Sequence, residues 1–286
     1  MLMAAQCQRS RPTYPATWSI LTAYLLVTHG SRDPRPQAEA GVLAHLVAEY
    51  LQHSAFLSPA LAKAASVTAD IVPLVGTAVL ELHPLPLHQQ IQQFAEQAIA
   101  AGHDRLVTVP LFLLPGVHVL EDLPAEMAIA QTLLPSSFKL DSCPYLGSYS
   151  PLQAQLKNLL SIQGLSGGSD SRILLSHGSR RPGGNAPVEA IATELSAIPA
   201  YWSTSPKLDE QVSALVKQGC EQIEILPYFL FEGKITDAIA QGVEDLAPQF
   251  PNAALHLAKP LGATPPLASL IAGLIQSVAV TQDRFQ

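Results

Sequence analysis

Two histidines stand where a sheet enzyme does its chemistry. His29 lies in Leu25-Leu-Val-Thr-His-Gly-Ser-Arg32, directly after an apolar run, and His118 lies in Leu113-Leu-Pro-Gly-Val-His-Val-Leu-Glu-Asp122, just beyond another. Imidazole is the commonest protein ligand for divalent transition metals and a proton acceptor near neutral pH, so two converging on one cleft suit the handling of a metal ion. Two ligands without a third also leave coordination positions open, as delivery of a metal requires. Either histidine alone is as readily explained by a hydrogen bond to its own loop; the pairing favours chemistry. Glu81, in Val79-Leu-Glu-Leu-His-Pro84, would reach the same edge from a neighbouring strand. There a carboxylate completes a weak metal site or relays a proton, against the plainer reading of a solvated strand-end charge. Glu121 and Asp122 rank below it, as carboxylates that favour a helix N-terminus. His83 and His88 are read as facing elsewhere, and His45, His53, His103 and His256 as structural.

These residues need a scaffold, and the chain supplies it twice. Ala23-Tyr-Leu-Leu-Val-Thr-His-Gly-Ser-Arg-Asp-Pro34 returns as Arg172-Ile-Leu-Leu-Ser-His-Gly-Ser-Arg-Arg-Pro182. Gly102-His-Asp-Arg-Leu-Val-Thr-Val-Pro110 returns as Gly219-Cys-Glu-Gln-Ile-Glu-Ile-Leu-Pro227, and Leu146-Gly147 as Leu261-Gly262. A duplication of this length decides the fold before any local reading does. In each copy, short apolar runs alternate with segments of helical period, the pattern of βαβ units and a parallel sheet. The expected fold is therefore α/β: two tandem Rossmann-like domains, each a four-stranded parallel sheet flanked by helices. Strands are expected near 23–28, 75–82, 105–113 and 138–143, then near 172–176, 199–203, 222–230 and 253–258. Helices are expected in the first half near 37–53, 87–101, 122–133 and 151–161. Right-handed crossovers bring the strand-to-helix loops of each half to one edge, where open α/β sheets bind their ligands. The boundaries follow: a tail over 1–21, an N-terminal domain over 22–162 that carries the site, a Gly/Ser-rich linker over 163–171, and a C-terminal domain over 172–286. Residue 20 onward reads better as the approach to the first strand than as part of a targeting segment.

The two copies are not equally equipped. His177 repeats His29, but Phe229-Leu-Phe-Glu-Gly-Lys-Ile-Thr-Asp237 has no histidine where His118 would recur, and Ser203 replaces Glu81. The second half thus reads as a wall of the cleft, with His177 structural or auxiliary. Charge is scarce, 16 Lys+Arg against 23 Asp+Glu for a net −7, which gives no basic field for a nucleic-acid backbone. What cations there are gather in corresponding loops: Arg32, Arg35, Arg180, Arg181 and Lys234, beside Ser31, would suit a polyanionic ligand between the halves, or are simply solvated. Three cysteines without a CxxC pair argue against a disulfide framework or a cysteine-held cluster and for a reducing, cytoplasmic compartment. No apolar stretch reaches the roughly 20 residues of a membrane span.

The His-Gly-Ser-Arg turn, Leu-Glu-Leu with Pro84, and Val-Pro-Leu-Phe-Leu-Leu-Pro-Gly-Val-His-Val-Leu-Glu-Asp-Leu-Pro together resemble the class II sirohydrochlorin chelatases, in their long two-repeat, cobalt- or iron-inserting form. The resemblance covers nearly all of the chain after residue 22. It implies two α/β domains with a tetrapyrrole cleft between them, His29 and His118 as the catalytic and metal-holding pair, and Glu81 as their acidic helper. The implied reaction inserts Co2+ or Fe2+ into sirohydrochlorin in cobalamin or siroheme biosynthesis and releases two pyrrole protons; activity would fall as the histidines protonate. The metal is then a substrate and no tightly bound cofactor is expected. Ser31, Arg32, Arg180 and Lys234 would meet the eight carboxyl groups of sirohydrochlorin. One chain holds two facing domains, so a monomer suffices. Two other readings stand beside it: a non-catalytic metal or tetrapyrrole carrier, and a histidine phosphatase, whose usual arginine before the histidine is Thr28 here.

Overall fold

The computed structural model describes residues 22–57, 73–162 and 171–282. The N-terminal tail with Ile20, most of the Leu57–Leu74 segment, the linker up to residue 170 and the last four residues lie outside the described residues. In the first half the elements run β1 (Thr22–Thr28), α1 (Arg35–Leu57), β2 (Val75–Val79), α2 (Leu87–Ala100), β3 (Arg105–Pro110), a π-helical turn (His118–Asp122), α3 (Leu123–Leu133), β4 (Lys139–Ser142) and α4 (Ser150–Ile162). In the second they run β5 (Ser171–Ser176), α5 (Ala186–Glu194), β6 (Ile198–Tyr201), α6 (Leu208–Lys217), β7 (Gln222–Pro227), α7 (Lys234–Leu246), β8 (Ala254–Leu257) and α8 (Pro265–Gln282).

Each half forms a four-stranded, all-parallel sheet, in order β2-β1-β3-β4 and β6-β5-β7-β8. The chain leaves β1 to one side for β2 and returns to its other side for β3. The gap between the carboxyl ends of β1 and β3 is thus a topological switch point, the usual ligand crevice of such sheets. Strands end earlier than their apolar runs suggest. The ladder beyond β2 and β3 continues only as isolated hydrogen bonds, because loop residues there turn away to build the carboxyl edge. β5 starts at Ser171, one residue inside the span read as linker.

β1 is buried along its whole length, as a strand covered by helices on both faces must be. Alternate residues serve different cores. Leu25 and Val27 face α2 and α3, whereas Tyr24 and Leu26 face a larger core with α1 and α4. That larger core is common to both halves: Leu43, Leu152 and Leu156 of the first pack in one cluster with Leu174, Val188, Ile191, Ile271 and Ile275 of the second. The other face of the second sheet has its own core with α6 and α7. The molecule is therefore layered as helices, sheet, helices, sheet, helices, with the middle helices shared and α1 packed against α8. No helix among the described residues is long and apolar enough to cross a membrane.

The carboxyl edges of the two sheets also meet. Arg35, at the start of α1, donates from Nε and Nη2 to Asp33 (2.6–3.1 Å) and from Nη1 to Asp237 Oδ1 of α7 at 3.0 Å, with a further contact to Asp237 Oδ2. The Glu232 amide donates to Glu39 at 3.3 Å, and the Tyr228 hydroxyl donates to the Leu113 carbonyl at 3.4 Å. Arg35, grouped by sequence with the cations for a polyanion, is instead engaged by two carboxylates, one from each half. The pairing joins residues too distant in sequence for any local pattern to announce it.

Two outcomes follow. Ile271 is fully buried in the shared core, so Ile271→Ala should cost about 2–5 kcal/mol and lower one cooperative transition, not split it, when unfolding is followed by circular dichroism in urea. Hydrogen bonds from Arg35 lower the Asp33 carboxyl from its usual 3.8 to about 2, and lower Asp237 as well. A depressed carboxyl contributes stability above its unfolded pKa and loses it as pH falls through the folded one. The Arg35 clasp should thus hold at neutral pH and release between about pH 4 and pH 2; urea midpoints of wild type and Arg35→Met should differ at pH 7 and converge at pH 2.

Candidate active site

β1 delivers His29 to the switch point, and backbone packing brings Glu81 beside it. The Leu80 amide donates to the Thr28 carbonyl and the Glu81 amide to the His29 carbonyl, both at 2.9 Å, carrying the β1–β2 ladder two residues past β2. Gly30 follows with φ +103°, and a Cβ there would sit 2.0 Å from the Glu81 carbonyl oxygen. Only glycine fits both the dihedral and the contact. Leu82 then takes φ 61°, a left-handed conformation that costs a leucine on the order of 1–2 kcal/mol.

β3 delivers His118 by a longer path. The Leu111 amide bonds to the Val27 carbonyl at 2.8 Å, the Phe112 carbonyl accepts from Gly147, and the chain reaches Gly116, whose carbonyl accepts from Val119 and Leu120. There the helix begins as a single π turn, closed by the Leu123 amide on the His118 carbonyl, before α3 continues with Pro124 in its first turn. His118 is thus the first residue of a helical turn and not part of the loop ahead of a helix starting near 122. Residues four apart on such a turn are neighbours.

The two imidazoles meet edge to face, their planes at 86° and centroids 4.5 Å apart, with Nε2 to Nε2 at 3.1 Å. Their other nitrogens are engaged. His118 Nδ1 lies 2.8 Å from Asp122 Oδ2 and 3.7 Å from Glu81 Oε1; His29 Nδ1 lies 3.3 Å from the Gly30 carbonyl. A carboxylate only accepts, so His118 Nδ1 donates to Asp122 and His118 Nε2 carries a lone pair; when His29 carries its proton at Nδ1, toward the Gly30 carbonyl, the two Nε2 lone pairs face each other. Two facing lone pairs repel unless a proton or a metal cation stands between them. Asp122, ranked below Glu81 by sequence, holds the shorter contact. The signal was the His-x-x-x-Asp spacing, readable once 118–122 is taken as helical. Among the described residues no group of three or more His, Cys, Asp or Glu side chains is arranged to hold a metal. The arrangement is an open one, with two imidazoles and carboxylates behind them.

The second half repeats the frame without the chemistry. The Trp202 amide bonds to the Ser176 carbonyl and the Ser203 amide to the His177 carbonyl, both at 2.9 Å. Ser203 therefore occupies the register of Glu81, and its hydroxyl donates to the Gly178 carbonyl at 3.3 Å. After β7 the chain passes from Gly233 straight into α7, and Ile235 stands two residues beyond the glycine, as His118 does beyond Gly116. His177 has no imidazole partner there. Of the cations, Arg32, Arg180, Arg181 and Lys234 are exposed, and their side chains make no hydrogen bond or ion pair among the described residues; Lys234 lies close enough to help lower Asp33. Ser31 Oγ accepts from the Asp33 amide at 3.0 Å and shapes the loop. His88 pairs with Glu126 at 2.8 Å, and His83 bonds within its own turn.

The profile of the CbiX family matches residues 23–162 and 171–278. A sirohydrochlorin cobaltochelatase of Priestia megaterium is 25% identical over 263 residues, covering 88% of this chain and 78% of its own. A sirohydrochlorin ferrochelatase of Bacillus subtilis is 24% identical over 269 residues, covering 91% and 93%. Among solved structures, SirB from Bacillus subtilis with Fe3+ shares the fold at a TM-score of 0.67 and 24% identity, over 91% of this chain and 96% of that one.

Loss of a carboxylate that orients a metal-binding imidazole typically costs 10–100-fold in affinity. Titration calorimetry with Co2+ should show such a loss for Asp122→Asn, a smaller one for Glu81→Gln, and no measurable site for the His29→Ala, His118→Ala double variant.

Proposed function

The chain belongs to the CbiX family, and from that premise we propose that it inserts a divalent metal ion, Co2+ or Fe2+, into sirohydrochlorin, as the names of its relatives describe. The observation that carries the proposal is the His29–His118 pair. With metal–nitrogen bonds of about 2.1 Å, nitrogens 3.1 Å apart subtend about 95° at the ion, the angle between neighbouring positions of an octahedron. The pair then holds a cation by two cis positions and leaves the rest to water and to the incoming macrocycle.

Insertion exchanges one dication for two protons. As the metal passes to the pyrrole nitrogens, two N–H bonds break there; one proton is taken between the Nε2 lone pairs that the metal has vacated, and the other by a carboxylate behind them, Asp122 or Glu81. The total charge of the pair and its carboxylates is the same before and after. The site must bind a distorted macrocycle with its nitrogens toward the metal better than the relaxed one, since only that difference accelerates insertion. Ser31 and the exposed Arg32, Arg180 and Lys234 are the groups offered to the carboxylates of sirohydrochlorin. In this reading residues 22–162 perform the chemistry, residues 172–286 form the opposite wall, and one chain suffices. The metal is substrate, no resident cofactor is required, and neither nucleic acid nor membrane takes part. Free cysteines, Cys143 buried and Cys220 partly so, fit a cytoplasmic setting.

Anaerobic insertion followed by absorbance, with Co2+ and Fe2+ supplied separately, tests the proposal. His29→Ala and His118→Ala should each lower kcat/KM by about 10²–10⁴-fold, the range for loss of a proton-accepting group, while His177→Ala retains most activity. No acceleration over the uncatalysed rate with either metal overturns it. Tight stoichiometric binding of the tetrapyrrole without turnover identifies a carrier instead.

A further inference from the structure

Leu82 is a large apolar residue, 56% exposed, held in a left-handed conformation immediately after Glu81. An exposed leucine alone is ordinary, and so is a loop that costs nothing. A leucine that is both strained and exposed, next to a residue of the site, requires a reason. The fold does not supply one. The second half reproduces the ladder residue for residue, Trp202 on Ser176 and Ser203 on His177, and the residue in the place of Leu82 is Thr204, which has no positive φ. At this loop, then, the strain is found only in the half that carries the histidine pair; the other left-handed non-glycine residue, Ser196, lies elsewhere, at the end of α5. The loop fixes the conformation from both sides: the Glu81 amide is tied to His29, and the Gln90 side chain donates to the carbonyls of Val79 and Leu85. Leu120, two residues beyond His118, is also exposed, but residues two apart on a helical turn point to opposite sides, so Leu82 is the apolar residue that the chain offers beside Glu81.

We propose that Leu82 is the apolar contact that receives one face of the macrocycle and holds its nitrogens over the His29–His118 pair. The inference rests on the chelatase reading and deepens it by naming a substrate-contact residue that carries no charge and binds no metal. The ligand chemistry suits it: a flat conjugated ring presents an apolar face within a rim of carboxylates, and the rim is left to the cations. Burial of the ring face against Leu82 happens only when the macrocycle is bound, so Leu82 should govern affinity for the tetrapyrrole and not for the metal.

Three variants separate contact from conformation. Glycine and asparagine both accept φ near 60° more readily than leucine, so Leu82→Gly and Leu82→Asn keep or raise the melting temperature while removing the apolar contact. Leu82→Met restores it. Binding of metal-free sirohydrochlorin is followed anaerobically by absorbance, and Co2+ affinity by calorimetry. The expected result is about a tenfold rise in Kd and KM for sirohydrochlorin in the glycine and asparagine variants, near wild-type values in the methionine variant, and unchanged Co2+ affinity in all three. An unchanged Kd for sirohydrochlorin in folded glycine and asparagine variants overturns the inference and leaves the chelatase reading standing. A wild type that neither binds nor metallates sirohydrochlorin overturns both.

Discussion

Two imidazole Nε2 atoms are held 3.1 Å apart, and whenever both carry lone pairs they repel each other in the absence of a cation, a repulsion that the surrounding structure works against. His118 is denied the easy escape of turning or changing tautomer, and His29 is held more weakly. Asp122 fixes His118 by its Nδ1–H, and the Gly30 carbonyl accepts from His29. The strands then fix the rings' separation, because β1 and β3 are direct neighbours and their ends cannot drift apart without breaking the ladder. A proton or a divalent ion relieves the repulsion, and that is the physical sense in which the site is prepared for both. The unfavourable contact is affordable because the sheet beneath is buried on both faces.

The duplication explains how so sparse a site stays rigid. Helices α1, α4, α5 and α8 form one layer that serves both sheets, so the halves share a core and do not merely touch. Around this layer the two carboxyl edges approach each other, and the contacts between them are made by loops that also build the site. The β1–α1 loop carries His29 at one end and, through Asp33 and Arg35, meets α7 at the other. The post-β3 loop carries His118 and accepts a hydrogen bond from Tyr228, whose hydroxyl is kept protonated by burial.

Much of this was legible in the sequence, for reasons that can be named. The repeat was visible because turn residues recur at matching offsets, and it placed Ser203 opposite Glu81 in the register later found in the backbone hydrogen bonds. His29 and His118 were legible as edge residues because each follows a buried strand. Less legible was whatever depends on turn type or distant partners. A π turn and a loop share the same composition, so composition alone does not announce the helical start at His118 or the closeness of Asp122. Strand ends are hidden, since apolar runs continue into loops such as Leu80–Leu82 that hold only one or two further ladder bonds. Arg35 looked like its neighbour Arg32, and only the tertiary fold pairs it with Asp237. The left-handed Leu82 runs against local preference, and no local rule would have found it.

The loop that follows the third strand of each sheet has acquired different employment in the two copies. In the first it presents His118; in the second, the same position offers Gly233 to Pro36 and Asp237 to Arg35 and serves as a foot that rests on the first copy. Once that foot is planted, the halves are no longer free to vary independently. Arg35 and Asp237, 202 positions apart, answer to the same geometry as His29, only a few residues from Arg35. Loss of either partner removes a tie on the loop that bears the first imidazole. The second half is thus tied to the half that holds the histidine pair, at a place where it carries no such pair of its own.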